Sequence, residues 1–212
     1  MTNHGEQAWH HEVITASTEV AFRSLRDANF VGRFYLAGGT GLALQMGHRL
    51  SKDLDFFASD LFDEDVLLQR VQTLAEFALV AKAPHTLHAT IHGTKVSFLG
   101  YAYPMLFPTV GFHGVAVADP RDIACMKVSA IASRGTRRDF VDLYISAQRY
   151  GLTDLLQFFD RKYAQTRYNR VHIMKSLTFF GDAEKDPMPH MLVPLDWSQV
   201  KQFFLQEVPR IL

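Results

Sequence analysis

The spacing of apolar positions changes several times along the chain. From Glu6 to Asn29, Trp9, Val13, Val20 and Leu25 fall at intervals compatible with one helical stripe, so this segment predicts a helix. The run RFYLAGG predicts a strand entering a turn. Phe34 and Leu36 share one face there, and the glycines clear space where the chain reverses into the short helix TGLALQMG. Gly47 supplies its stop. LDFFA predicts a second strand, and DEDVLLQRVQTLAEF a helix in which Val66, Leu67, Val71 and Leu74 recur at three- and four-residue steps.

The middle of the chain has a shorter period. LVAKA, TLHATIHG and TKVSFLGYAYP are alternating or β-branched and are separated by Pro84 and Gly93, which predicts hairpin-connected strands, with HGVAVAD as one more. After Asp119 and Pro120 the pattern becomes helical, through PRDIACMKVSAIASRG, TRRDFVDLYISAQRY, LTDLLQFFDRKYAQ, NRVHIMKSLTFF and a closing DWSQVKQFFLQEV. EKDPMPHMLVP, with its two prolines, predicts a loop. The fold class is therefore mixed α/β (α+β), with a core over residues 1–118 and a helical region over 119–212 packing against it.

Composition narrows the class. Apolar residues at 48% and charged ones at 21% are ordinary for a globular chain, so no disulfide or metal staple is needed to fold 212 residues. With 22 basic and 22 acidic side chains there is no long-range field to gather nucleic acid, and only a local basic face is left open. Cys125 is the single cysteine, which excludes an intramolecular disulfide and fits a reducing compartment; its neighbours read as a buried helix face. The N-terminus lacks an apolar signal-peptide core and no window approaches a membrane span. A soluble cytoplasmic protein is expected.

The chemistry concentrates in LAGGTGLALQMGHRLSKDLDFF, Leu36 to Phe57. On a strand, side chains two apart leave from one face, so Asp53 and Asp55 point together while Leu54 and Phe56 face the core. Two such carboxylates repel unless a cation or a set of donors compensates. Mg2+, or Mn2+ in its place, is the natural compensator, a hard ion that fills its remaining positions with water and phosphate. The spacing points to metal-assisted phosphate chemistry, with a plain surface strand as the alternative. One short helix earlier, Gly38 and Gly39 offer backbone amides and Thr40 a hydroxyl, a ready phosphate cradle. This is neither a Walker loop, since GGTGLALQ lacks the Gly-Lys-Ser/Thr ending, nor a dinucleotide fingerprint. His85, His88 and His92 suggest a cluster, but nothing completes a zinc set. His4, His10 and His11 read as exposed.

AGGTGLALQMGHRLSKDLDFF resembles the nucleotidyltransferase signature of the AbiEii/AbiGii toxin family, a branch of the DNA polymerase beta-like nucleotidyltransferase superfamily. DIACMKVSAIASRGTRRDFVDLY is similar to that family's second block, a helical lysine followed by a basic-Asp-x-x-Asp-Leu segment. The resemblance runs in order from about Phe34 to Phe204. It implies a nucleotidyltransferase fold with a mixed sheet flanked by helices and a mainly helical C-terminal part. It also implies a nucleoside triphosphate donor, a divalent metal, and transfer of a nucleoside monophosphate to an acceptor. Some relatives are toxins of toxin-antitoxin or phage-defence pairs, with transfer RNA among the acceptors, so an RNA acceptor and a cognate antitoxin are the implied partners.

Carried over to this chain, Gly38, Gly39 and Thr40 match the phosphate-holding turn and Asp53 and Asp55 the metal-binding carboxylates. Lys127 matches the lysine expected near the triphosphate or its leaving group. Asp139 matches the acidic residue of the second block, beside Arg138, and Asp142 is either part of the site or a structural partner of Lys127 or an arginine. His48 and Arg49 match the family's His-Arg pair, of which one is expected to brace the carboxylates or touch phosphate, with a structural hydrogen bond the equal alternative for His48. Arg134 or Arg137 is expected to meet the pyrophosphate charge. The pattern departs at TKVSFLG, where active relatives carry a third carboxylate and Ser97 stands instead. A one-ion reaction, a carboxylate supplied by Asp139 or Asp142, and a degenerate module that binds nucleotide or RNA without turnover all stay open, as does a nucleotide-dependent phosphotransferase. An acceptor groove is a candidate at Arg134, Arg137, Lys162, Arg167 and Arg170, with Tyr163 and Tyr168 to stack a base.

Overall fold

A computed structural model describes residues 8–29 and 31–211. Thr15 opens helix α1 (Ala16–Asp27) by accepting a hydrogen bond from the Thr18 amide, which satisfies one of the orphan donors of a helix start. That cap makes the helix shorter than its apolar spacing predicts. His11–Val13 is a separate 3-10 turn, Val20 is exposed, and the buried stripe is Thr18, Ala21, Phe22 and Leu25. Glu6 and His4 lie outside the described residues.

Strand β1 (Tyr35–Leu36) runs into helix α2 (Gly38–Met46), which stops at Gly47 in the left-handed region at φ 65°. Strand β2 (Leu54–Ala58) follows. Helix α3 (Glu64–Val71) starts from an Asp63 cap and is about half the predicted length; Val66 is exposed, while Leu67 and Val71 carry the buried side. Strands β3 (Phe77–Ala83), β4 (Thr86–Ile91) and β5 (Thr94–Gly100) form the expected meander. A hairpin of β6 (Val110–Phe112) and β7 (Val115–Val117) completes the sheet, β6 being a strand the sequence pattern did not single out.

The seven strands are ordered β3-β4-β5-β2-β1-β7-β6. β2 lies at the centre, antiparallel to β1 and parallel to β5, while β1 is parallel to β7. This mixed pairing places the carboxyl-bearing strand between the glycine turn that follows β1 and the Ser97 strand.

Behind the sheet come α4 (Pro120–Ser133), α5 (Arg137–Tyr150), α6 (Leu152–Lys162), α7 (Arg170–Ser176) and α8 (Trp197–Ile211). Pro120 occupies the first turn of α4, where its missing amide costs nothing. Cys125 is fully buried on α4. One apolar cluster joins the sheet to α1 and α3, and a second, built on Phe140, Leu155 and Phe204, joins the helices. A small third cluster of Tyr35, Ala37, Leu42, Ala118 and Ile123 lies where α2 meets α4. The proline-rich loop is not wholly irregular. Met191 makes a β-bridge with Arg49, and the His190 carbonyl accepts from the Leu50 amide, so the loop is tied beside the approach to β2.

Candidate active site

The site grows from the alternation of β2. Leu54 and Phe56 are fully buried in the sheet's core, which turns Asp55 to the opposite face. Asp53, just ahead of the strand, opens into the same recess of about 320 Å³, and its half-exposed carboxylate lies 3.7 Å from the Arg138 guanidinium. Burial raises the pKa of Asp55; hydrogen bonding from Ser97 and the nearby Lys127 charge pull against that rise. This is the signature of a carboxylate lacking a full counter-charge.

Gly38 shows why a glycine stands opposite. Its φ is +59°, and a Cβ there would sit 2.5 Å from an Asp55 carboxylate oxygen, so a side chain would fill the space that carboxylate uses. A Cβ on Gly39 would meet the Arg49 guanidinium at 2.4 Å. Ala37 precedes α2 without a side-chain cap, so no capping side chain satisfies the first amides of that helix, and Gly39 in its first turn lines the recess. Thr40 departs from expectation. It is buried, with its hydroxyl within hydrogen-bonding distance of Ser51 Oγ at 2.8 Å and of the Asp53 carbonyl, so it pins the chain entering β2 and does not face the recess.

The second block reaches the same recess from α4 and α5. Lys127 Nζ lies 2.9 Å from Asp139 Oδ1 and 2.7 Å from Asp142 Oδ2. Burial works against the lysine's charge, yet these two carboxylates raise its pKa. Burial also works against Asp142, yet Arg49 and Lys127 hold it well below the usual carboxylate range. Arg49 grips Asp142 with two bonds, Nε to Oδ1 at 2.6 Å and Nη2 to Oδ2 at 2.8 Å, a bidentate pair. Burial lowers the pKa of His48, so the neutral ring donates through Nε2 to Asp142 Oδ1 at 2.9 Å; its Nδ1 has no partner among the described residues. Asp139 accepts from Lys127, from Thr136 Oγ1 at 2.6 Å and from Arg134 Nε at 3.2 Å.

These bonds sort the residues expected from sequence. Gly39, Arg49, Asp53, Asp55, Lys127, Arg134 and Asp139 share the recess, and Gly38 lines its continuation past Asp55. His48 is turned away to Asp142. Asp139 and Asp142 are occupied by cations, which leaves neither placed to complete a metal shell; Asp142 is the structural partner of both Lys127 and Arg49. Ser97 pairs with Asp55 in register across β2 and β5, so it stands level with that carboxylate, and its hydroxyl lies 3.1 Å from His88 Nδ1. The histidines do not cluster. His92 sits in a left-handed turn bonded to Ser24, and His85 bonds Phe62.

Arg137 turns outward to the Ala183 and Glu184 carbonyls, away from the recess. The groove expected around α6 and α7 does not form. Lys162 is buried against Asp122 at 2.8 Å, Tyr163 is buried, and Tyr168 and Arg170 both bind Asp160. Ser51 and Thr136 line the recess without having been singled out. For Thr136 a signal existed, because Thr-x-x-Asp ahead of an apolar helix is a capping pattern.

A mixed sheet carrying an Asp-x-Asp strand beside a glycine-led helix, closed by a basic helical layer, is a nucleotidyltransferase fold. Two solved structures share it. One is a Helicobacter pylori protein solved as a candidate nucleotidyltransferase, with a TM-score of 0.52 and 17% identity, covering 98% of this chain and 95% of the other. The second is MenT4, the nucleotidyltransferase toxin Rv2826c of Mycobacterium tuberculosis H37Rv, with a TM-score of 0.54 and 15% identity over 93% and 89% of the two chains. The chain matches the family described as "Nucleotidyl transferase AbiEii toxin, Type IV TA system" over residues 20–104 and 101–211, and it belongs to that family. An uncharacterized protein of Aquifex aeolicus (strain VF5), aq_aa25, is 35% identical over 185 residues, 84% of this chain and 88% of that one. Among the described residues no helix is long and apolar enough to cross a membrane.

Proposed function

We propose that the protein is a magnesium-dependent transferase moving a nucleoside monophosphate from a nucleoside triphosphate to a hydroxyl of an RNA acceptor, acting in the cytoplasm as the toxin of a pair with a cognate antitoxin. One observation carries this reading: Asp53 and Asp55, the uncapped start of α2 and the cations Lys127 and Arg134 converge on one recess. The residues fit a metal. Two carboxylates face a common space, Gly38 leaves that space clear, and Asp55 is buried without full compensation. Asp139, the other carboxylate of the recess, is taken up by Lys127, Arg134 and Thr136, and among the described residues no three acidic or histidine side chains form a metal-holding group, so an ion held by Asp53 and Asp55 would take its other ligands from phosphate and water. Such an ion supplies charge for the donor phosphates and lowers the pKa of a bound hydroxyl.

The chain's own groups would do the rest. The amides of Gly38 and Gly39 hold phosphate oxygens at the helix start. Lys127 and Arg134 meet the charge that builds on the leaving group. In the transfer, the acceptor oxygen bonds to the α-phosphorus and the bond to the β-bridging oxygen breaks. Pyrophosphate takes that electron pair, and the hydroxyl proton passes to solvent. Asp139 and Asp142 act through Lys127 and Arg49 as positioning residues.

Incubating the protein with each labelled nucleoside triphosphate, Mg2+ and total cellular RNA should label RNA and release pyrophosphate, and Asp53→Ala should remove both. Release of nucleoside diphosphate instead would make it a phosphotransferase. Ser97, in place of a third carboxylate, favours the second reading, a module that binds nucleotide without turnover. Tight binding of Mg-nucleotide with no product would establish that reading.

A further inference from the structure

A second recess of about 600 Å³, nearly twice the volume of the first, opens on the other side of Asp53 and shares Arg49, Ser51 and Arg138 with it. It is bounded by the start of α1 at Ser17, by Lys52, by the β4–β5 turn at Gly93 and the first residues of β5, Thr94 and Lys95, by Arg138, and by His190 on the bridged loop. Its charge is one-sided. With Arg49 paired to Asp142, Lys52, Lys95 and Arg138 stand against the single carboxylate of Asp53, and among the described residues Lys52 and Lys95 make no ion pair although both are exposed. Thr94, on the wall, is 3% exposed, and its hydroxyl has no hydrogen-bond partner among the described residues. A buried hydroxyl without a partner costs roughly 1–3 kcal/mol, a cost that a ligand oxygen relieves.

We infer that this recess is the acceptor groove and takes a single-stranded phosphodiester chain whose terminal hydroxyl is delivered to Asp53. The inference rests on the nucleotidyl-transfer reading, which requires an acceptor to reach the carboxylates from a side the donor does not fill. The lining favours a polyanion. Lysines act as point charges toward phosphate, and hydroxyls and imidazole bind phosphate and sugar oxygens. Among the described residues no aromatic side chain other than His190 lines the recess, so contacts go to the backbone and binding is indifferent to sequence. The acceptor is therefore recognised by charge and by a free end, and none of Lys162, Arg167 and Arg170 lines this groove.

Fluorescence anisotropy with a short single-stranded RNA ending in a 3′-hydroxyl, measured across a salt series, tests the groove, while calorimetry with Mg-ATP and the other Mg-nucleotides tests the donor site. The double variant Lys52→Glu/Lys95→Glu should weaken RNA binding at least tenfold and flatten its salt dependence, with nucleotide binding and the thermal midpoint unchanged. The milder Lys95→Gln should give a smaller loss in the same direction. Arg167→Glu should change nothing. Unaltered RNA binding in the double variant, an equal loss in Arg167→Glu, no RNA binding by the wild-type protein, or transfer to protein in place of RNA would each overturn the groove. RNA binding that depends on Lys52 and Lys95 in a protein that binds no nucleotide would uphold the groove and overturn the transferase reading.

Discussion

Gly38 meets two demands at once, a left-handed backbone and a carboxylate in the place of its missing side chain. Gly38→Ala should therefore abolish Mg-nucleotide binding in calorimetry and lower stability by at least about 1 kcal/mol in a denaturant melt. Asp142 carries a different burden, since its loss strands three buried nitrogen groups. Asp142→Ala should cost about 3–5 kcal/mol, read as a shift in urea midpoint. The pH dependence has a definite sign. Burial depresses the pKa of His48 in the folded state, whereas the unfolded ring titrates near about 6.5. Below that value the unfolded chain binds the extra proton, so stability should fall as pH drops from about 7 toward 5. His48→Gln should flatten that slope in denaturation curves at the two pH values. Asp142 works in a lower window: its stabilising contribution is complete above about 3.9 and is lost as pH falls toward its depressed folded value. The local chemistry of Gly38, Asp53 and Asp55 was legible because it follows from neighbours in the sequence. That of Arg49 and Thr40 was not, because their partners are set by packing; for His48 a structural hydrogen bond was one of two open readings, and its partner, Asp142, came only with the packing.

Strand β2 works because it is read on both faces, with Leu54 and Phe56 inward and Asp55 outward, and because it pairs with β5 in a register that sets Ser97 level with Asp55. His88 on β4 is next in that row. A carboxylate at position 97 would join Asp55 on one face of adjacent strands. Ser97→Asp should then raise Mg2+ affinity, measured by metal titration in the presence of nucleotide, and raise the transfer rate at limiting metal. Period-two patterning fixed β2, β4 and β5 with little error, since each is half buried and alternates. The errors fell on helix ends: Thr15 caps α1 six residues after the apolar spacing begins at Trp9, and α3 ends at Val71 although Leu74 keeps the spacing. A cap is a local hydrogen bond, and apolar periodicity does not register it.

Two apolar clusters, one under the sheet and one among the helices, are joined by α2 packing on α4 and α5 and by the bonds from His48 and Arg49 to Asp142. Those buried bonds should make unfolding cooperative across the chain. Calorimetry of the wild-type protein should give one transition with matching calorimetric and van't Hoff enthalpies, and Asp142→Ala should broaden it or split it in two. The ordered motifs made the fold class legible. The pairing of the basic residues was not legible, because DRKYAQTRYNR looks basic in sequence while Lys162 is spent on Asp122 and Arg170 on Asp160.

The bonds that hold Arg49 and His48 to Asp142 span 93 and 94 residues of chain. Synthesis delivers the carboxylates and the glycine turn long before α4 and α5 can supply Lys127, Arg134 and the carboxylate that fixes Arg49. A growing chain on the ribosome therefore holds the carboxylate half of the recess without the basic half that α4 and α5 bring to it. For a member of a toxin family the consequence lies in chain order: the recess cannot be completed until α5, which ends at Tyr150 of 212 residues, has been made.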